Sequence, residues 1–339
     1  MQAEKMGIDK GQCSVYVYGL CDVFYDSYYL QGLHDFFTSY HFNIDKFPKI
    51  RQGVFAVIIE HDGRSIKIII DSADTSEYYS DELAWCDIYG KINVNNKNIP
   101  RQFQHKIFPI GPSFGIKIWN IGEMFYHLTR NYIICRRVIS NKREFIANYW
   151  RQYNRKPIKS YTPQTSKERY VFFTGAIWKR EETTNEARAA FIEACRANPD
   201  ITFEGGFAPR RDNNNLHYNH LLAASRYKFS EYLTKLRKSA IAFNTPAVLS
   251  CHGWKLGEFL ALGKAMITTP HVNELPSPLQ EQVHVVYAKN LSAIAEKIDL
   301  LIKDHSLRLE LEKNARAYFE NFLAPAKVIE RLFLHAHRK

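Results

Sequence analysis

The 339-residue chain has no apolar run approaching the roughly 20 residues that a membrane-spanning helix needs. Its first residues, MQAEKMGIDKGQ, lack the apolar stretch of a secretory leader. The six cysteines (13, 21, 86, 135, 195 and 251) stand singly, with neither a CxxC pair nor a zinc-type Cys/His spacing. That pattern argues against a disulfide framework or a structural zinc site and fits reduced, buried thiols. Low-complexity tracts and short-period repeats are missing too, which sets fibrous, solenoid and disordered classes aside. The expected location is cytoplasmic, with peripheral contact at the inner membrane face left open.

What is there describes a globular protein, 45% hydrophobic and 24% charged, and long enough for two domains of ordinary size. The formal charge of +11 calls for a polyanionic partner, which a sugar nucleotide, a nucleic acid or an anionic membrane surface would each satisfy. Sign alone does not choose among them.

The most informative stretch runs from Arg237 to Pro276. Ser239 to Asn244 reads as a buried strand, Thr245-Pro246 turns the chain, and Gly253 to Leu262 reads as a helix with apolar Trp254, Leu256, Phe259, Leu260 and Leu262. Gly263 stops that helix, and Ala265 to Thr268 resumes as a strand. A loop is thus aimed at a helix N-terminus, whose N–H groups and partial positive charge suit an anion. Lys255 in the first turn does little for the helix and much for a bound phosphate. Glu258, one turn on, is placed to accept hydrogen bonds from sugar hydroxyls.

At these residues the chain resembles the C-terminal half of GT-B glycosyltransferases. Gly253-Trp254-Lys255-Leu256 looks like their diphosphate loop, Glu258 like the ribose carboxylate, and Asn273-Glu274-Leu275 like the loop after the following strand. Where retaining relatives carry a second glutamate, eight residues before the first, this chain has Ser250, so the resemblance points to inversion. It is specific over about 239–322 and weak before about 170. It implies an α/β fold of two Rossmann-like domains facing across a cleft, with a C-terminal helix crossing back to the first.

The rest of the chain keeps a β/α rhythm. Ser14–Leu20 reads as a first strand, 21–27 as a loop and 28–40 as a helix, with later strands near 55–60, 66–70, 86–89 and 106–110 and a hairpin turn at 60–65. Helices are expected at 77–84 and at 121–149, the latter aromatic and basic. The expected domains are an acceptor-side domain over 1–155, a polar, Pro-interrupted linker over 156–169, a nucleotide-sugar domain over 170–322 with helices near 184–197 and 216–237, and a crossing helix over 323–339.

Other candidate residues gather at loop positions. Gly175 follows the first strand of the second domain, with Lys179 and Arg180 just beyond, where cations would meet the charge of a departing diphosphate; a solvated basic pair is the alternative. Gly205-Gly206 and Arg210-Arg211 touch a nucleotide base or cap a loop. Asn244 and Thr245 bind donor hydroxyls or cap a turn, and His252 contacts the donor or is a structural hydrogen-bonder. Displacement at an anomeric carbon needs a base, and the resemblance locates it in the loop after the first strand, where Asp22 and Asp26 stand. The alternative for Asp26 is to N-cap the next helix.

No two aspartates are separated by one residue, so the Asp-x-Asp seat for Mg²⁺ or Mn²⁺ is missing, and neither a metal nor a cofactor is expected. The function expected is a metal-independent transfer of sugar from a nucleotide-sugar donor to a glycan or lipid-linked acceptor, as in bacterial surface-polysaccharide (lipopolysaccharide or capsule) assembly, with no nucleic-acid partner. A sugar-nucleotide epimerase of the same fold and a non-enzymatic polyanion- or membrane-binding protein are the alternatives.

Overall fold

The computed structural model describes residues 10–337. Residues 1–9, most of the start in which no secretory leader was expected, lie outside the described residues. The chain is α/β and divides into two compact units. Unit 1 takes the chain up to Ser160, with Glu274–Pro276 and the chain from Asn321 onward; unit 2 takes Tyr161–Asn273 and Ser277–Glu320.

Unit 1 contains β1 (Ser14–Tyr18), α1 (Val23–Phe37), β2 (His41–Asn43), β3 (Val54–His61), β4 (Arg64–Asp71), α2 (Ser80–Trp85), β5 (Ile88–Lys91), β6 (Ile107–Pro109), α3 (Ile121–Cys135) and α4 (Lys142–Tyr153). Its six-stranded sheet has the order β2-β1-β3-β4-β5-β6. The β3–β4 pair is antiparallel, because Asp62 and Gly63 both take positive φ and close a two-residue hairpin. β1 also runs antiparallel to β3, so this sheet is mixed, with parallel pairs at β1–β2, β4–β5 and β5–β6.

Three expectations need correcting here and in unit 2. Most of the loop expected over 21–27 is helix, from Val23 onward, because Asp22 caps α1: its Oδ1 accepts from Phe24 N at 3.0 Å and Tyr25 N at 3.3 Å. The single helix expected over 121–149 is two, since Asn141 accepts from Glu144 N at 3.0 Å and starts α4 afresh. The helix expected from 216 begins only at Phe229. Leu216 takes a φ of 53°, Asn219–Leu221 make a single 3₁₀ turn, and Leu222 bridges to Phe207, so the segment before Phe229 is irregular.

Unit 2 contains β7 (Tyr170–Gly175), α5 (Glu182–Ala197), β8 (Thr202–Phe207), α6 (Phe229–Lys238), β9 (Ala242–Asn244), α7 (Trp254–Ala261), β10 (Met266–Thr268), β11 (Val286–Tyr287), α8 (Ala293–Lys303) and α9 (His305–Tyr318). β7 pairs with β8, and β9-β10-β11 form a second ladder, every pair parallel. Ser239 joins the two: its Oγ accepts from Phe172 N at 2.8 Å and donates to Ile241 O at 2.6 Å, while Ala240 N donates to Tyr170 O at 2.7 Å. One apolar core, with Val171, Phe191, Ile241, Phe243, Ile267 and Val286 buried, runs beneath both ladders. Gly205 is required by β7: a Cβ there would stand 1.9 Å from the Phe173 carbonyl oxygen.

The last helix, α10 (Pro325–His337), begins at proline after a π-turn and packs in unit 1. Gly32 of α1 permits the approach, since its Cβ would lie 2.4 Å from Pro325 O. Phe333 sets its ring 6.0 Å from Phe36 and 5.2 Å from Phe37.

Candidate functional site

β7 and β9 deliver their C-terminal ends to one edge of unit 2, the position where loops of a parallel sheet bind ligands. Phe173 and Phe243 give this edge an apolar floor, held from below by Phe191, which stacks on Phe243 with centroids 4.4 Å apart. Above the floor is a cavity of about 180 Å³ lined by Asn244, Thr245, Gly253, Trp254, Lys255 and Arg188 among others. Five residues singled out from sequence are therefore together. α7 starts after Gly253 with no capping side chain, which leaves its N-terminus able to receive an anion.

Two cations stand on this cavity. Arg188 is only 7% exposed; its Nε donates to Thr245 Oγ1 at 3.0 Å and one Nη to Ala176 O at 2.9 Å. Burial lowers its pKa to about 10, against a weak pull from Glu181. Lys255 is half-buried as a residue, but its ammonium end is enclosed and donates to the Thr174 carbonyl. Burial, with the nearby Arg188 charge, lowers its pKa to about 7, and Glu258 opposes the shift. Asn244 engages its amide nitrogen with Thr268 Oγ1 at 3.0 Å and His271 Nε2 at 3.2 Å, so its carbonyl oxygen is what it can offer a ligand.

The other sequence candidates sit elsewhere. Gly175 ends β7 and is buried beside Phe173. Lys179 is exposed and pairs at 3.1 Å with Asp212, whose carboxyl is held well below its usual range by Arg210 and then Lys179. Arg180 is exposed. Arg210 reaches back to Ile177 O at 2.8 Å, which makes it a loop clasp. Leu256 is buried in the core side of α7. Glu258 is 4% exposed and accepts from the Tyr232 hydroxyl at 2.9 Å, outside the cavity lining. His252 is 6% exposed, with Nε2 at 3.1 Å from Asn273 O. Glu274 groups with unit 1, where its N donates to Val94 O at 2.7 Å and its carboxylate meets Asn96.

In unit 1, Asp22 keeps its second carboxylate oxygen at 3.0 Å from Asn148 Nδ2, and burial raises its pKa. Asp26 is 1% exposed beneath it and accepts from Asp22 N at 2.9 Å. Its pKa is raised strongly, first by burial and then by the Asp22 charge.

Arg188 is the residue that sequence reasoning missed. A signal existed: it shares a stripe of α5 with Phe191, Ile192 and Cys195, all fully buried, and an arginine there must find a purpose inside.

No family model and no curated protein matches the sequence. Solved structures similar in fold include a glycosyltransferase from Rickettsia africae ESF-5, at 11% identity and TM-score 0.43, covering 79% of this chain and 70% of that one. Anabaena Alr3699/HepE in complex with UDP is similar at 10% identity and TM-score 0.43, covering 80% of this chain and 79% of that one. The C-terminal domain of LpcC, a glycosyl transferase group 1 family protein from Francisella tularensis, matches at 18% identity and TM-score 0.34, over 48% of this chain and 96% of the domain. The chemistry below rests on the residues themselves.

Proposed function

We propose that the chain is a metal-independent, inverting glycosyltransferase that takes a sugar from a nucleoside-diphosphate donor to a hydroxyl acceptor. The observation that carries it is the unit 2 cavity, where Arg188 and Lys255 are enclosed at the start of α7 and no carboxylate is among the lining residues. Enclosing two cations with no carboxylate in the lining, and only the weaker pull of Glu181 and Glu258 behind them, costs free energy that a bound diphosphate recovers. Asn244 and Thr245 offer oxygen acceptors to the sugar or ribose. The residue for the base is Asp22, which is partly open and carries a raised pKa, with Asp26 as its support.

The acceptor is a glycan or a lipid-linked glycan. A lipid carrier is favoured by the face of α3 and α4, where Phe125, Tyr126, Ile133 and Trp150 are more than half exposed among Arg130, Arg136, Arg137, Lys142 and Arg143. Aromatic and basic side chains together suit the surface of an anionic membrane. Among the described residues no helix is long and apolar enough to cross one.

The test is a thermal-shift screen of the full chain with UDP-, GDP-, dTDP- and CMP-sugars, followed by product analysis with the best donor. The expected result is stabilisation by one diphosphate donor, absent in Lys255→Ala, and release of nucleoside diphosphate only when an acceptor is added. Release without acceptor, together with an altered free sugar, would favour the epimerase; no donor preference at all would leave a polyanion binder.

A further inference from the structure

Unit 1 has a larger cavity, about 640 Å³, within the range of small-molecule sites. It lies beside the start of α1, between the 44–52 segment and the α3–α4 connection. Its walls are mainly apolar, from Leu20, Ile44, Phe47, Ile50, Ile139 and Phe145. At one end stand Asp22 and Asn148, bonded to each other at 3.0 Å. At the mouth is Val138, 52% exposed; the same connection carries Arg136 and Arg137, and the start of α4 carries Lys142 and Arg143, all exposed. A mainly apolar chamber whose two carboxylates are Asp22, beside Asn148, and Glu144, paired with Arg151, and whose rim is basic and apolar, suits an amphiphile better than a soluble glycan.

We propose that this cavity holds the apolar stem of a hydroxyl-bearing head group on a long alkyl or isoprenyl chain, with the hydroxyl at Asp22. The inference deepens the transferase reading and rests on it for what happens to the hydroxyl; occupation of the cavity does not depend on it. Apolar walls take the chain, whose transfer from water is favourable in proportion to its area. The Asp22 oxygens already accept two N–H groups and the Asn148 amide, which fixes the carboxylate in place to accept one more hydrogen bond from the ligand. The basic rim receives phosphate groups of the bilayer that supplies the ligand.

The experiment uses the full chain and two probes, octyl β-glucoside below its micelle-forming concentration and methyl β-glucoside, measured by isothermal titration. Each methylene withdrawn from water is worth roughly fourfold in affinity, so octyl glucoside should bind at least tenfold more tightly. Ile139→Trp, which fills the chamber, and Val138→Asp, at its exposed mouth, should each weaken octyl glucoside at least tenfold and leave nucleotide affinity within twofold. Equal affinity for the two glucosides, no binding of either, or octyl glucoside binding untouched by both variants overturns the inference. Nucleotide affinity, read separately on the same samples, reports on the unit 2 site. A chain that binds octyl glucoside and no nucleotide would therefore sink the transferase reading alone.

Discussion

The two cavities share a local plan and differ in what sits at the helix N-terminus. In each, a strand runs into a loop that starts a helix: β1 into α1 in unit 1, β9 into α7 in unit 2. The α1 terminus is already filled by the chain's own carboxylate, Asp22 Oδ1, on two N–H groups. The α7 terminus follows a glycine with no capping side chain, and Arg188 and Lys255 add positive charge beside it. A filled terminus cannot receive a second anion, whereas an unfilled one flanked by cations is unfavourable until it does. The comparison assigns phosphate to unit 2 and leaves unit 1 a fixed carboxylate facing an apolar chamber.

The sharpest way to break that assignment is at Asp22. Asp22→Asn keeps an oxygen to cap α1 and removes the base, so turnover should fall by about 100-fold or more while donor affinity stays within twofold. Single-turnover rates beside equilibrium binding separate the two effects, and normal turnover would move the base elsewhere. Lys255→Ala should do the reverse. It removes a charge-assisted contact worth about 1.5–3 kcal/mol, so donor affinity should drop roughly 30-fold, and undiminished binding would detach the phosphate from this cavity.

A smaller effect follows from the Lys255 pKa. Burial and Arg188 hold it at about 7 in the empty site, and a bound diphosphate raises it again. Binding therefore takes up a proton above pH 7, and affinity should be flat below that value and fall up to tenfold per unit between pH 7 and 9. Titrations in buffers of different ionisation enthalpy check the uptake directly. A flat affinity through pH 9 would mean that Lys255 is no part of the site.

How much of this was legible in the sequence follows the same division. The 239–268 unit reads from local signals: Gly263 has a φ of 58° and ends the helix, and the flanking apolar runs become β9 and β10. Local signals were also present, and misread, at Asn141 and Asp22, where a side-chain cap rather than hydrophobic spacing decides where a helix begins. Nothing local marks the partners of Lys179, Glu258 or Glu274. Asp212, Tyr232 and Val94 are 33, 26 and 180 positions away, and only folding brings them near. The enclosure of Lys255 is of the same kind, because its low pKa comes first from burial that only the packed core creates and then from Arg188, 67 positions earlier. Sequence thus indicated the site's residue types and left its electrostatics to tertiary structure.

The smallest expected effect is none at all, on removing divalent metal. A departing nucleoside diphosphate develops charge that must be met at once, by a metal ion or by fixed donors. Of the two aspartate pairs nearest in sequence in unit 1, Asp22 and Asp26 are committed to starting α1, with Asp26 1% exposed, and in the other, Asp71 and Asp74, Asp71 is held by Lys91 at 2.6 Å. The cavity of unit 2 has cations where a metal site would have carboxylates. Arg188 is held by Thr245 and Ala176, and Lys255 by Thr174, so both are aligned before the bond breaks. With these donors supplying the charge, turnover in EDTA should match turnover in Mg²⁺ within about twofold, since fixed dipoles and cations need little reorganisation. Loss of turnover in chelator, restored by Mg²⁺ or Mn²⁺ while donor affinity is unchanged, would show that the cations of unit 2 bind the diphosphate without being sufficient to release it.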